Sequence, residues 1–175
     1  MYKRKALNSI ILVIEFFNSP HETGRLTTTL ILLNHSLEMI LKATILNHGE
    51  EIRGEEGYTR SMDRCINILH SGTPDNRGLS IITENQKTTL KEISSHRDEA
   101  IHGNSILSEE RLYACTRSGF SIFDEILSHE FGENTNDYLP DRVLPIAGRP
   151  LKRIDLIYKK EIETVRELIE QGARE

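Results

Sequence analysis

Arg97 and His102 are the pair in this chain best suited to acid–base chemistry beside a fixed positive charge. They bracket the segment Arg97-Asp-Glu-Ala-Ile-His102, and Gly103 follows at once. Ile82, Gln86, Leu90, Ile93, Arg97 and then Ala100 or Ile101 recur at helical spacing, which puts Arg97 in line with core positions. A guanidinium keeps its charge there and needs an acceptor or a solvated cleft. Asp98 and His102 are four residues apart, one turn above each other, so Asp98 is placed to accept a bond from the imidazole and fix its tautomer. His102 falls in the last turn, where the negative end of the helix favours the imidazolium. That is the form a general acid needs near neutral pH.

A second polar stripe complements this one. Asn34, Glu38 and Lys42 are spaced by four on an otherwise apolar segment, with Glu38 ahead of Lys42 in the better orientation for an ion pair. Either the stripe is a solvent face, or it faces the Arg97 helix and Glu38 holds Arg97. Arg64 and His70 form another arginine–histidine pair. It ranks lower, because Cys65 replaces the polar residue after the arginine and Ser71 separates His70 from the next glycine. His96 widens the polar patch beside Arg97 or simply sits on the surface. His21, His35, His48, His70, His96 and His129 lack metal-ligand spacing with Cys, Asp or Glu, so no metal site and no cofactor are expected. No phosphate-binding glycine loop and no Gly-x-Ser-x-Gly elbow occurs.

The elements that must position these residues read as helices throughout. Leu7, Ile10, Ile11, Ile14 and Phe17 mark a first helix ending before Pro20. A second, from about Arg25 to His48, is apolar almost all round and should be the central buried helix. Gly49 to Gly57 is a charged loop, Tyr58 to Ser71 a third helix, and Ser71 to Gly78 a turn. Thr83 with Gln86 reads as a capping box opening a fourth helix, which ends near His102 with Gly103-Asn104 as a left-handed stop. Ser108 caps a fifth, with Glu109 and Glu110 in its first turn and a core stripe of Leu112, Cys115, Gly119, Ile122, Phe123, Ile126 and Leu127. The expected architecture is all-α: an up-down bundle of four to five helices over residues 1–132, an irregular linker over 133–152, and a C-terminal helix within 153–175. The stripe Tyr158, Ile162, Val165, Ile169 on that last helix packs on the bundle, on a partner chain or on a further domain.

Bulk properties narrow the function. A chain of 175 residues can bury one real core. A net charge of -5 and a pI near 5.8 argue against wholesale coating of nucleic acid while leaving room for a local basic site. Cys65 and Cys115 sit inside helical patterns, as core thiols in a reducing compartment do. Lys3, Arg4 and Lys5 precede an apolar run, but Glu15 interrupts it and no small-residue cleavage site follows. Leu30 to Leu33 is too short to span a bilayer and is broken by Asn34, His35 and Glu38. The expectation is a soluble cytoplasmic protein with no membrane partner.

Leu33-Asn-His-Ser-Leu-Glu-Met-Ile-Leu-Lys-Ala43 together with Arg97-Asp-Glu-Ala-Ile-His102 resembles the HEPN superfamily, closest to a subfamily catalogued as a domain of unknown function. The resemblance covers residues 26–131. It implies a helical bundle that dimerises with the two motif helices facing each other, and metal-independent endoribonuclease activity in toxin–antitoxin, abortive-infection or phage-defence systems. Carried over by position, Arg97 and His102 are the catalytic pair and Asp98 their polar support. Glu38 and Lys42 match the second-helix polar positions, and Asn34 and His96 join them as supporting or RNA-binding residues. The implied partners are RNA, a second copy of the chain, and an antitoxin or a further domain of a longer protein. Two other functions fit the sequence: a non-catalytic HEPN module binding RNA, a nucleotide or a partner protein, and a helical adaptor using the stripe from Tyr158 to Ile169.

Overall fold

The computed structural model describes residues 1–21, 23–54, 57–71, 80–103 and 108–139. Among them are five α-helices and no strand: α1 (Tyr2–Phe17), α2 (Arg25–Asn47), α3 (Met62–Ser71), α4 (Glu84–His102) and α5 (Glu109–Phe131), followed by a 3-10 turn, Thr135–Asp137. The fold is all-α, as the helical periodicity requires. The turn expected over Ser71 to Gly78, the linker beyond Leu139 and the C-terminal helix from Arg153 lie outside the described residues, apart from Ser71 at the end of α3.

Helix α2 is the hub and packs on α1, α3, α4 and α5. Leu30, Leu33, Leu37, Ile40, Leu41 and Ile45 on it are fully buried. Its 23 residues have the length and composition of a membrane span, with a mean hydropathy of 1.3 in the most apolar window. Taken whole, the helix is therefore more span-like than Leu30–Leu33 alone suggested, yet most of that window is buried inside the bundle. Its apolar surface is already matched by core contacts.

Polar contacts at both ends fix the helix directions. Arg25 at the start of α2 pairs with Glu109 at the start of α5, and Asn47 and His48 at the other end bond Glu130. Thus α2 and α5 run parallel. Gln86 in the first turn of α4 donates to Glu125 in the last third of α5 at 2.9 Å, so α4 runs antiparallel to both. The three helices meet at Gly119, where a Cβ would lie 2.9 Å from Leu33 Cδ1 and 3.2 Å from Ile93 Cδ1. Any larger side chain there would push the helices apart.

The caps follow local chemistry. Thr83 and Gln86 form the capping box, the Thr83 N–H donating to Gln86 Oε1 at 2.8 Å and the Gln86 N–H to Thr83 Oγ1 at 3.2 Å. Ser108 Oγ accepts from the Arg111 N–H at 3.3 Å. That hydroxyl and the local backbone hold the Glu110 carboxyl below its usual range, the backbone bond being the larger cause.

Two boundaries differ from expectation. Helix α3 starts at Met62 rather than Tyr58. Ser61 caps it, and Thr59 is engaged elsewhere, in a bridge with Arg53 and a bond from Lys42. Gly103 ends α4 in an extended conformation, φ -96 and ψ 162, not a left-handed one. Its glycine is required by crowding, because a Cβ would come 2.7 Å from the Glu99 carbonyl oxygen. Beyond α5, residues 133–139 pack back on the bundle. Thr135 is buried, its N–H donating to Asp124 Oδ1 at 3.1 Å, and Glu133 pairs with Lys3 of α1.

Candidate functional site

On α4, Leu90 and Ile93 are buried to the last few per cent, and Arg97 continues their line one turn on. Its side chain is 29% exposed. The guanidinium is divided: Nε is buried with no partner among the described residues, while NH1 reaches Asp98 Oδ1 at 2.8 Å near the surface. From the Leu33–Ile93–Gly119 contact, a step of one turn toward the α2 N-terminus reaches Thr29. The same step on the other two helices reaches Arg97 and Thr116, because α4 is antiparallel to α2 and α5. Thr29 Oγ1 and Thr116 Oγ1 are also buried without partners. One level of the bundle thus gathers an unpaired N–H and two unpaired hydroxyls. Each such group ordinarily costs about 1–3 kcal/mol.

His102 is the last residue of α4 and is exposed. It makes no bond to Asp98. The expected Asp98–His102 contact is replaced by Asp98–Arg97, which is the shorter reach for a carboxylate already committed to a charged neighbour. Arg97 and His102 are separated by about 7.5 Å along the helix axis. His96 Nδ1 lies 3.5 Å from Glu99 Oε2 and lines a groove of about 370 Å³ between α4 and α5 with Glu92, Arg111 and Cys115. Neither Arg97 nor His102 lines that groove or its neighbour around Tyr113 and Arg117.

The Asn34–Glu38–Lys42 stripe answers to neither alternative. It is not a solvent face: Asn34 and Lys42 are each 3% exposed. Nor does Glu38 hold Arg97. Glu38 Oε1 accepts from Lys42 Nζ at 2.6 Å, and the same ammonium donates to Thr59 Oγ1 at 3.4 Å. The stripe ties α2 to the loop before α3. Asn34 Oδ1 is buried without a partner, beside Leu33 in sequence and so near the three-helix contact.

The lower-ranked pair, Arg64 and His70, lies on α3. His70 is taken up by Glu84, Nε2 to Oε2 at 2.7 Å, and by the Ile82 carbonyl. Both cysteines are buried free thiols. Burial pushes Cys65 up to about 11, and burial with the Glu92 carboxylate pushes Cys115 up. Among the described residues, no three His, Cys, Asp or Glu side chains are grouped as they would be around a metal ion.

Sequence reasoning passed over a different cluster. Arg53, Arg60 and Arg64 line an open groove of about 640 Å³ with Tyr58, Glu51, Thr59 and Ser61. The first two arginines lay in a segment read as a plain loop and an over-long helix. Their spacing of seven, then four, was the available signal.

A family model described as "Domain of unknown function (DUF3644)" matches residues 3–174. The chain belongs to the DUF3644 family. No curated protein and no solved structure matches it. The DUF3644 match extends well past the 26–131 region that carried the sequence resemblance and takes in the residues after α5. Within this DUF3644 chain, Arg97 and Asp98 are brought together, Glu38 and Lys42 are brought together, and His102 stands apart at a helix end.

Proposed function

We propose that this protein is a metal-independent endoribonuclease of HEPN type, acting in the cytoplasm in a phage-defence or toxin system as a homodimer. The observation that carries the reading is Arg97: a guanidinium in line with the core stripe of α4, its tip at the surface, one helix end away from the exposed His102. In a single chain these two residues line neither groove between α4 and α5. A two-fold contact between α4 helices would bring each pair together with its copy in one cleft. One His102 then takes the proton from a ribose 2'-hydroxyl, whose oxygen attacks the adjacent phosphorus. The other His102 gives a proton to the departing 5'-oxygen, leaving a 2',3'-cyclic phosphate and a free 5'-hydroxyl. Arg97 from each chain balances the charge on the five-coordinate phosphorus. Asp98 acts as a positioning residue for Arg97, not for His102.

The Arg97–Asp98 pair also favours a second reading, a non-catalytic HEPN module binding RNA, a nucleotide or a partner such as an antitoxin. A cleavage assay on RNA in excess EDTA separates them, comparing wild type with Arg97→Ala and His102→Ala at matched folded concentration. Cleavage by wild type alone, leaving cyclic phosphate ends, supports the nuclease. A wild-type protein that is monomeric by sedimentation, or that leaves RNA intact, moves the assignment to the binding module.

A further inference from the structure

Five cations of the described fold are met by carboxylates: Lys3 by Glu133, Arg25 by Glu109, Lys42 by Glu38, Lys87 by Glu84 and Arg97 by Asp98. Arg53, Arg60 and Arg64 differ from these five, and from the other cations without a carboxylate in sharing one groove. None has a carboxylate partner among the described residues, although acids outnumber bases in the chain, 27 to 22. All three line one groove between the loop after α2 and the start of α3. Tyr58, 78% exposed, lines the same groove. Glu50 and Glu51 precede the loop, Glu51 in the groove lining, and Glu55 and Glu56 lie outside the described residues.

Three guanidinium forks with no carboxylate partner among the described residues suit the oxygens of a phosphate, which they grip two bonds at a time. An exposed phenol ring beside them offers a face for a base to stack on. Glu51 supplies an acceptor for a ribose hydroxyl or a base amine, which a bare inorganic anion could not use. The platform is held in place: Thr59 hangs from the buried Lys42 ammonium, and the Arg60 N–H bonds the Ile52 carbonyl at 2.8 Å. Along α2 the groove lies about 20 Å from the level of Arg97, so it is not an extension of that site.

We propose that this groove binds a nucleotide unit, its phosphate on Arg53, Arg60 and Arg64 and its base on Tyr58, supplied by single-stranded RNA or by a free nucleotide. The proposal does not depend on cleavage at His102.

The test is fluorescence anisotropy of a labelled twelve-residue oligouridine in EDTA, with unlabelled ATP as competitor. Wild type and Arg4→Gln, which changes an exposed cation of α1 outside the groove, should bind alike. Arg53→Gln and Arg64→Gln, both at exposed positions, should each weaken binding about tenfold and lower the salt dependence by about 0.7 in log–log slope. Tyr58→Ala should weaken it about fivefold or more, and Arg64→Lys should restore part of what Arg64→Gln loses. Displacement of the oligonucleotide by micromolar ATP identifies the free nucleotide as the natural source, and resistance to ATP identifies the strand. Absence of binding by wild type, or equal binding by all three groove variants with unchanged circular dichroism, overturns the proposal.

Discussion

The Glu38–Lys42 pair makes an unequal prediction for its two halves. The lysine side chain is 4% exposed and the glutamate 24%, with 2.6 Å between Nζ and Oε1. Replacing Glu38 with Met leaves an ammonium in the core with Thr59 Oγ1 at 3.4 Å as its remaining acceptor. Stranding a buried charge in this way costs about 3–5 kcal/mol, and the lower end applies here because the pair touches solvent on the glutamate side. Replacing Lys42 with Met leaves a carboxylate that can turn to water, and Met fills the volume of the lysine stem. That change should cost about 1 kcal/mol. The double variant removes both charges and should stand within about 1 kcal/mol of wild type. Urea unfolding at pH 7 reads all three. With a slope of about 1.5 kcal/mol/M, Glu38→Met should lower the midpoint by about 2 M and Lys42→Met by under 1 M. A Lys42→Met variant as unstable as Glu38→Met, or a double variant no better than Glu38→Met, would show that the lysine is not held as a buried charge.

Gly119→Ala should destabilise the fold by about 1–3 kcal/mol, since its Cβ meets Leu33 Cδ1 at 2.9 Å. Thermal melts of the Gly119→Ala/Leu33→Val double variant should show a loss smaller than the sum of the two single changes. Cys65 is raised from 9.0 to about 11 by burial, so the native state holds the thiol proton more tightly than the unfolded chain. Its contribution is intact below pH 9 and fades as pH climbs toward 11, by on the order of 2 kcal/mol. Urea midpoints at pH 8 and pH 10.5 should fall less in Cys65→Ala than in wild type; an equal fall in both would contradict the assignment.

The sequence made the helices legible because their signals are local and redundant. Leu112, Cys115, Gly119, Phe123 and Leu127 announce α5 through period alone, and Thr83–Gln86 and Ser108 announce two starts through cap chemistry. The placement of Arg97 in line with Leu90 and Ile93 was equally readable. Partner choice was not. Asp98 had Arg97 beside it and His102 one turn away, and helical spacing cannot rank a neighbour against a turn. Glu38 faced the same ambiguity between Lys42 and Arg97, which only the packing of α2 against the loop resolves. Gly103 carried a correct signal, a stop, with a different cause: crowding by the Glu99 carbonyl instead of positive φ. The arginine groove depends on a loop folding back through an isolated bridge between Arg53 and Thr59, a local turn with no periodic signature.

The suspension of Thr59 from Lys42 has a consequence for motion. Exposed loops usually open on their own, faster than the helices they join. Here the backbone around Thr59 is fastened twice to buried groups, by the Lys42 ammonium and by the bridge to Arg53 beside the buried Ile52. In amide deuterium exchange, the N–H groups of Gly54 and Arg60, bonded to Tyr58 and Ile52 carbonyls, should therefore open together with the C-terminal half of α2. The loop and that half-helix then form one unit of local unfolding. Whatever occupies the arginines would be felt as added protection along the central helix.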